Sequence, residues 1–273
     1  MKFFVLPVVG LLTLVISETV ITSGAQLSQL EVRCTLTATS SFTQGEPILL
    51  RLKLENSSYE PRVVNLGYNR ESAFLFRLVR PDGDPIDLPQ TKIREGLSLP
   101  GEVVIPAQES YSQQIILDNW YKFTEPGPYR LALKILNSPC AREELRFEIT
   151  PEDLDSLKSV CNELMNAIVK NRNNYAKAAD AANALAKVYN PIAVPFLTKS
   201  LESNPMVSSI IIPALERIGD KQAIRSLVAI LERYDASTSE YAQARGALAA
   251  LETRSATEEV EIIRIALARF PVH

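Results

Sequence analysis

Apolar residues occupy alternate positions along the first half of this chain and positions three and four apart along the second. Leu30 to Ala38 and Ile48 to Glu55 alternate apolar with polar side chains, the signature of strands with one face on a core. Shorter runs follow at Val63 to Leu66, Ala73 to Val79, Gly101 to Ile105, Ser110 to Leu117, Gly127 to Leu136 and Glu143 to Ile149. Turn residues separate them, as in Arg80-Pro81-Asp82-Gly83-Asp84-Pro85, where Asp-Gly suits a tight hairpin. About eight short strands over roughly 120 residues predict an antiparallel β-sandwich of two sheets.

The period changes at Thr150-Pro151-Glu152-Asp153, where a threonine N-cap, a proline in the first turn and two acids predict a helix start. Helices are expected near 151–171, 174–189, 191–203, 205–218, 221–234, 238–253 and 256–270, broken at Asn190-Pro191, Asn204-Pro205 and Gly219-Asp220. Within them a phrase recurs: Ala184, Leu185, Val188, Ala193 and Leu197 return thirty residues later as Ala214, Leu215, Ile218, Ala223 and Leu227. Ala247, Leu248 and Leu251 give a partial third copy, with Thr253-Arg254 in place of Gly-Asp, as a terminal repeat would have. A fixed period of this length predicts an α-helical solenoid of stacked helix pairs, each burying its apolar face on the next. Pro195 and Pro213 are read as kinks that let helices follow the curve of the stack. The boundary falls near residue 150 with almost no linker, so the two parts are expected to touch.

On these residues the second half resembles HEAT-type repeats, of the short kind found in bacterial chains similar to phycobilisome lyases. The repeat itself brings no reactive group, so lyase activity is not implied. Pro126-Gly127 before Tyr129 resembles the corner of an immunoglobulin-like or fibronectin-like domain, in which a tyrosine hydroxyl ties down the preceding turn. The fold expected is therefore an immunoglobulin-like antiparallel β-sandwich over 26–150, followed by a HEAT-like helical domain over 151–273.

Residues 1–25 read as a signal peptide. Met1-Lys2 is followed by an apolar run from Phe3 to Ile16, too short to span a bilayer, and Ser23-Gly24-Ala25 offers a cleavage site before Gln26. The expected product is exported, to the periplasm or beyond, with no membrane span after removal of the signal. In such a compartment disulfides persist. Cys161 lies on an apolar helical stripe with Leu154, Leu157, Leu164 and Ile168 and reads as a core thiol. Cys34 lies in the first strand and Cys140 before the last. Those strands are neighbours in many immunoglobulin-like sandwiches, which makes this pair the candidate disulfide.

Charge narrows the chemistry. With 29 basic and 32 acidic residues the chain carries −3, without the basic footprint of a nucleic-acid binder. The one histidine is His273, which leaves no basis for a Ser-His-Asp triad or a histidine metal site. Cysteine spacing suits no zinc site, and no phosphate-loop motif appears, so no cofactor is expected. Glu102, Glu109, Asp118 and Glu125 leave carboxylate-based hydrolysis as a remote alternative. Asn56-Ser57-Ser58 matches a glycosylation acceptor, relevant only in a eukaryotic secretory route.

Two surfaces are candidates for recognition. The repeat register aligns Lys187 with Arg217, flanked by Asn183 and Glu216, with Asn190 and Asp220 at the turns, a polar ridge suited to an extended or acidic protein partner. The same residues also read as an ordinary solvated face. Trp120, Tyr121 and Phe123 read either as a platform for sugar rings or as a plug in the sandwich core. The expectation is a non-enzymatic binding or scaffold module that meets a protein through the helical face or the groove between domains. A carbohydrate- or wall-binding module using the aromatics is the alternative.

Overall fold

The structure, a computed structural model, describes residues 32–67, 70–89, 101–136, 138, 140, 142–254 and 257–271. The candidate signal peptide and His273 lie outside them. Among the described residues a β-rich half precedes a helical half of seven α-helices.

The described residues of the β-rich half form three sheets. Strands β1 (Val32–Thr37), β3 (Leu49–Asn56) and β8 (Ser110–Ile116) form an antiparallel sheet with β3 in the middle. A five-stranded sheet runs β2 (Ser41–Thr43), β10 (Glu143–Thr150), β9 (Gly127–Ile135), β5 (Phe74–Val79) and β6 (Pro85–Asp87). The pairing of β2 with β10 is parallel. Strands β4 (Arg62–Asn65) and β7 (Glu102–Ile105) make a two-stranded ribbon.

The alternation works as expected of half-buried strands. Leu50, Leu52 and Leu54 of β3 point inward with Cys34 and Leu36 of β1. They share one buried cluster with Phe74, Phe76 and Leu78 of β5, Leu131 and Leu133 of β9, and Phe147 of β10. Two strands escape the sequence pattern: β2 and β6 are three residues each, too short to show a period, and exist because β10 and β5 offer them an edge. Cys34 and Cys140 are joined as a disulfide across a Cα separation of 5.5 Å.

The helix start lies later than expected. Thr150 is still a strand residue, paired with Thr43, and Pro151 gives its carbonyl to the Thr43 hydroxyl at 3.0 Å. Asp153 caps α1 (Leu154–Lys170) instead, accepting from the Asp155 amide at 3.0 Å and the Ser156 hydroxyl at 2.6 Å. Then come α2 (Tyr175–Leu185), α3 (Val194–Ser203), α4 (Ser208–Ile218), α5 (Lys221–Arg233), α6 (Ser239–Glu252) and α7 (Thr257–Arg269). Asn174, Asp220 and Thr238 cap α2, α5 and α6 through their side chains, while Asn190 and Asn204 cap short 3-10 turns that lead into α3 and α4. Pro213 lies inside α4, as read from the sequence. Pro195 does not kink its helix: it occupies the first turn of α3, where a missing amide costs little.

The repeated positions form the helical core. Leu185, Ala193, Leu197, Ala214, Leu215, Ala223, Leu227, Ala247, Leu248 and Leu251 are all buried in one cluster, and Ala184 is buried too. Ion pairs between helices line its surface, at 2.7 Å for Arg233–Glu202, 3.2 Å for Arg254–Glu216 and 3.0 Å for Arg269–Glu232, with Lys221–Glu258 alongside. Exposed pairs of this kind contribute roughly 0–1 kcal/mol each, so burial of the repeated apolar residues dominates.

Candidate functional site

The two halves meet along a seam built by the turn after β2 and the segment after β8. Besides the Thr43 contact with Pro151, Gln44 donates its amide to Thr150 O at 3.0 Å and its side-chain Nε2 to Thr124 O at 2.6 Å. A Cβ on Gly45 would lie 3.6 Å from the Leu157 side chain, which shows how closely α1 approaches. From the helical half, Asn190 Nδ2 donates to Glu152 Oε1 at 2.8 Å.

Charge concentrates here. Asp118 sits in a 3-10 turn, Leu117–Asn119, and its Oδ2 accepts the Ile48 amide at 2.7 Å. Burial pushes its carboxyl up to about 6 against the pull of the Ile48 and Asp118 amides and the Lys187 cation; nearby Glu46 adds to the rise. Glu46 is itself raised, by burial first and by Glu163 of α1, although it accepts the Thr43 amide at 2.9 Å. A carboxyl held near neutral pH beside an ammonium group can exchange a proton, but its side chain is engaged with backbone.

Tyr189 carries two cations against its ring, one from each half. Lys122 Nζ stands 5.4 Å from its ring centroid and the Arg217 guanidinium carbon 5.1 Å, while 40% of the tyrosine remains exposed. Arg217 also donates to Ala186 O at 3.2 Å. Arg217 thus reaches the backbone of the residue that precedes Lys187. The remaining ridge residues have other duties. Asn190 and Asp220 are helix caps, accepting from the Ile192 and Ala223 amides at 3.0 and 2.8 Å. Glu216 is held by Arg254, through both its carboxylate and its carbonyl. Asn183 is exposed on α2. Of the ridge, Lys187 and Arg217 are left, with Tyr189 against the Arg217 guanidinium.

Tyr189 and Lys122 were not among the sequence candidates. One signal for Tyr189 was present: in the thirty-residue register it stands where the next repeat has Gly219, so the turn glycine of one repeat is an aromatic in the other. Lys122 carried none, because only the folded seam brings it to Tyr189.

The aromatic platform does not form. Trp120 and Phe123 retain 7% and 8% of their surface. Trp120 packs edge-on to Phe76 at 5.0 Å, and Phe123 contacts Tyr129 at 5.3 Å and Phe147 at 5.8 Å. Half-buried Tyr121 abuts Phe123. These rings close one end of the core because burying them outweighs offering them to a sugar. The Tyr129 hydroxyl donates to Glu125 O at 2.8 Å, the expected corner bond. Asn56 is likewise unsuited to glycosylation. It is buried, and its Nδ2 donates to the carbonyls of Glu60, Ile105 and Pro106 at 2.8, 3.1 and 2.9 Å.

No family model matches the chain. No curated protein matches it in sequence. Among solved structures, a β-glucosidase from Listeria innocua in complex with isofagomine is similar over 45% of this chain, at 13% identity and a TM-score of 0.28. The chain spans only 16% of that enzyme's length. A CARDB domain from Pyrococcus furiosus is similar at 8% identity and a TM-score of 0.26, over 44% of this chain and 94% of that one. The alkylpurine DNA glycosylase AlkC from Pseudomonas fluorescens is similar at 14% identity and a TM-score of 0.24, over 45% of this chain and 31% of that one. Likenesses this partial carry no argument about function. Among the described residues no helix is long and apolar enough to cross a membrane.

Proposed function

We propose that this chain is an exported, non-catalytic protein-binding module in which an immunoglobulin-like sandwich braces a short HEAT-like helical stack. The partner presents an acidic segment to the seam between the halves. The observation that carries this reading is Tyr189, exposed with Lys122 and Arg217 against its ring and two residues along the chain from Lys187. An aromatic ring with two cations against it offers both apolar area and charge attraction to a carboxylate-bearing peptide. Opposed sheets with a tyrosine corner support the sandwich, and the thirty-residue register of buried alanines and leucines supports the stack. The Cys34–Cys140 disulfide is compatible with export.

The test is affinity capture from the native envelope or secretion extract, with wild type set against Lys187→Glu/Arg217→Glu. A protein retained by wild type and lost from the charge-reversed chain supports the seam as the binding surface. Equal recovery on both chains removes it.

A further inference from the structure

A cleft of about 440 Å³ opens on the five-stranded sheet, lined by three arginines, Arg80, Arg130 and Arg146, together with Pro81, Gly83 and Glu148. Its volume lies within the roughly 300–1,000 Å³ usual for small-molecule sites. Arg130 and Arg146 stand directly opposite each other on β9 and β10. Like charges in that register repel and destabilise a sheet. Neither arginine forms an ion pair among the described residues, and although Glu148 lines the same cleft it bridges neither of them.

Arg80, in the third wall, differs. Asp82 and Asp84 hold its Nη2 at 2.8 and 3.5 Å, which fixes the side chain, while its Nε is buried without an acceptor. The unrelieved arginine pair costs free energy, and an anion bound between the two guanidinium groups relieves it. Guanidinium groups form forked hydrogen bonds with the oxygens of phosphate and sulfate, which suits a paired-arginine cleft better than a monodentate ligand.

We propose that this cleft binds a phosphate or sulfate group, either free or carried on a small molecule. It shares no lining residue with the Lys122, Tyr189 and Arg217 seam, so it stands or falls separately from the proposed protein partner.

Calorimetric titration of the full chain at low ionic strength with inorganic phosphate, inorganic sulfate, glucose 6-phosphate and glucose tests it. Binding of an anionic probe, with no heat from glucose, is expected. Arg130→Gln/Arg146→Gln, confirmed folded by circular dichroism, should weaken that binding at least tenfold, while Arg33→Gln on β1 leaves it unchanged. Tighter binding of glucose 6-phosphate than of inorganic phosphate assigns a carried group; equal or weaker binding assigns the free anion. Either supports the site. No binding by any anionic probe, undiminished affinity in the double variant, or an equal loss in Arg33→Gln overturns it.

Discussion

The hydroxyl of Thr43 ties strand to helix: it donates to Pro151 O at 3.0 Å and accepts the amide of Asp153 at 2.8 Å. Asp153 is the cap of α1, so this one side chain fixes both the end of β10 and the first turn of the helical half. Thr43→Val keeps the shape but removes both bonds and leaves a backbone amide without its acceptor. A loss of about 1–3 kcal/mol in stability is expected. Chemical denaturation measures it, and limited proteolysis should cut the variant faster near 151–153. Unchanged stability and cleavage would mean that the hydroxyl contributes nothing to the junction.

Asp118 makes stability depend on pH. Its carboxyl is raised to about 6 in the fold, above its ordinary value of 3.8, because burial favours the neutral acid. The native state thus holds the proton more tightly than the unfolded chain. Its contribution is fully present below about pH 3.8 and is lost as pH rises through about 6. The size is on the order of 1–3 kcal/mol once partial solvent access is allowed for. Asp118→Asn retains an acceptor for the Ile48 amide and removes the titration. Melting temperatures of wild type and variant should diverge between pH 4 and about 6.5, with the variant the flatter. A shallow slope should remain, because Glu46 is shifted in the same direction.

Much of this fold is legible in the sequence where a pattern is long and local. Leu50, Leu52 and Leu54 announce a strand by alternation, and Ala184 with Ala214 announces the repeat by register. Three-residue β2 and β6 are illegible, because pairing with distant strands makes them. Thr150 looks like an N-cap by chemistry yet remains in a strand, since Thr43 offers it a ladder partner. At the seam, Lys187 and Arg217 followed from the thirty-residue spacing. Asn190 and Asp220 share that register for a different reason: each helix turn needs an acceptor for its free amides. Lys122 required the three-dimensional fold.

Thiol chemistry separates the three cysteines. Cys34 and Cys140 are bridged across 106 residues, and the remaining Cys161 is buried, with its thiol pushed up to about 11 by desolvation. Titration of the native protein with a thiol reagent should therefore find essentially none reactive, and the unfolded, unreduced protein should yield one. Three thiols on unfolding would refute the bridge. Replacing both Cys34 and Cys140 by Ala should cost about 2–5 kcal/mol, since an unfolded chain freed of so long a loop gains entropy.

Gly219 is the position where the repeat leaves no freedom. Its φ of 61° is left-handed, and a Cβ there would lie 2.8 Å from Leu251 Cδ2 and 3.2 Å from Glu216 O. Gly219→Ala thus combines backbone strain with a clash between α4 and α6, and should cost about 1–3 kcal/mol. Gly83→Ala is the control: its φ is 90°, but a Cβ meets nothing within 4 Å. The control carries strain alone and should cost less. Denaturant midpoints of the two variants decide the matter, and restoring space with Gly219→Ala/Leu251→Val should recover part of the loss only if the contact with Leu251 contributes. Equal costs at the two glycines, with no recovery in the double variant, would assign the whole effect to backbone conformation and none to the packing of one repeat on the next.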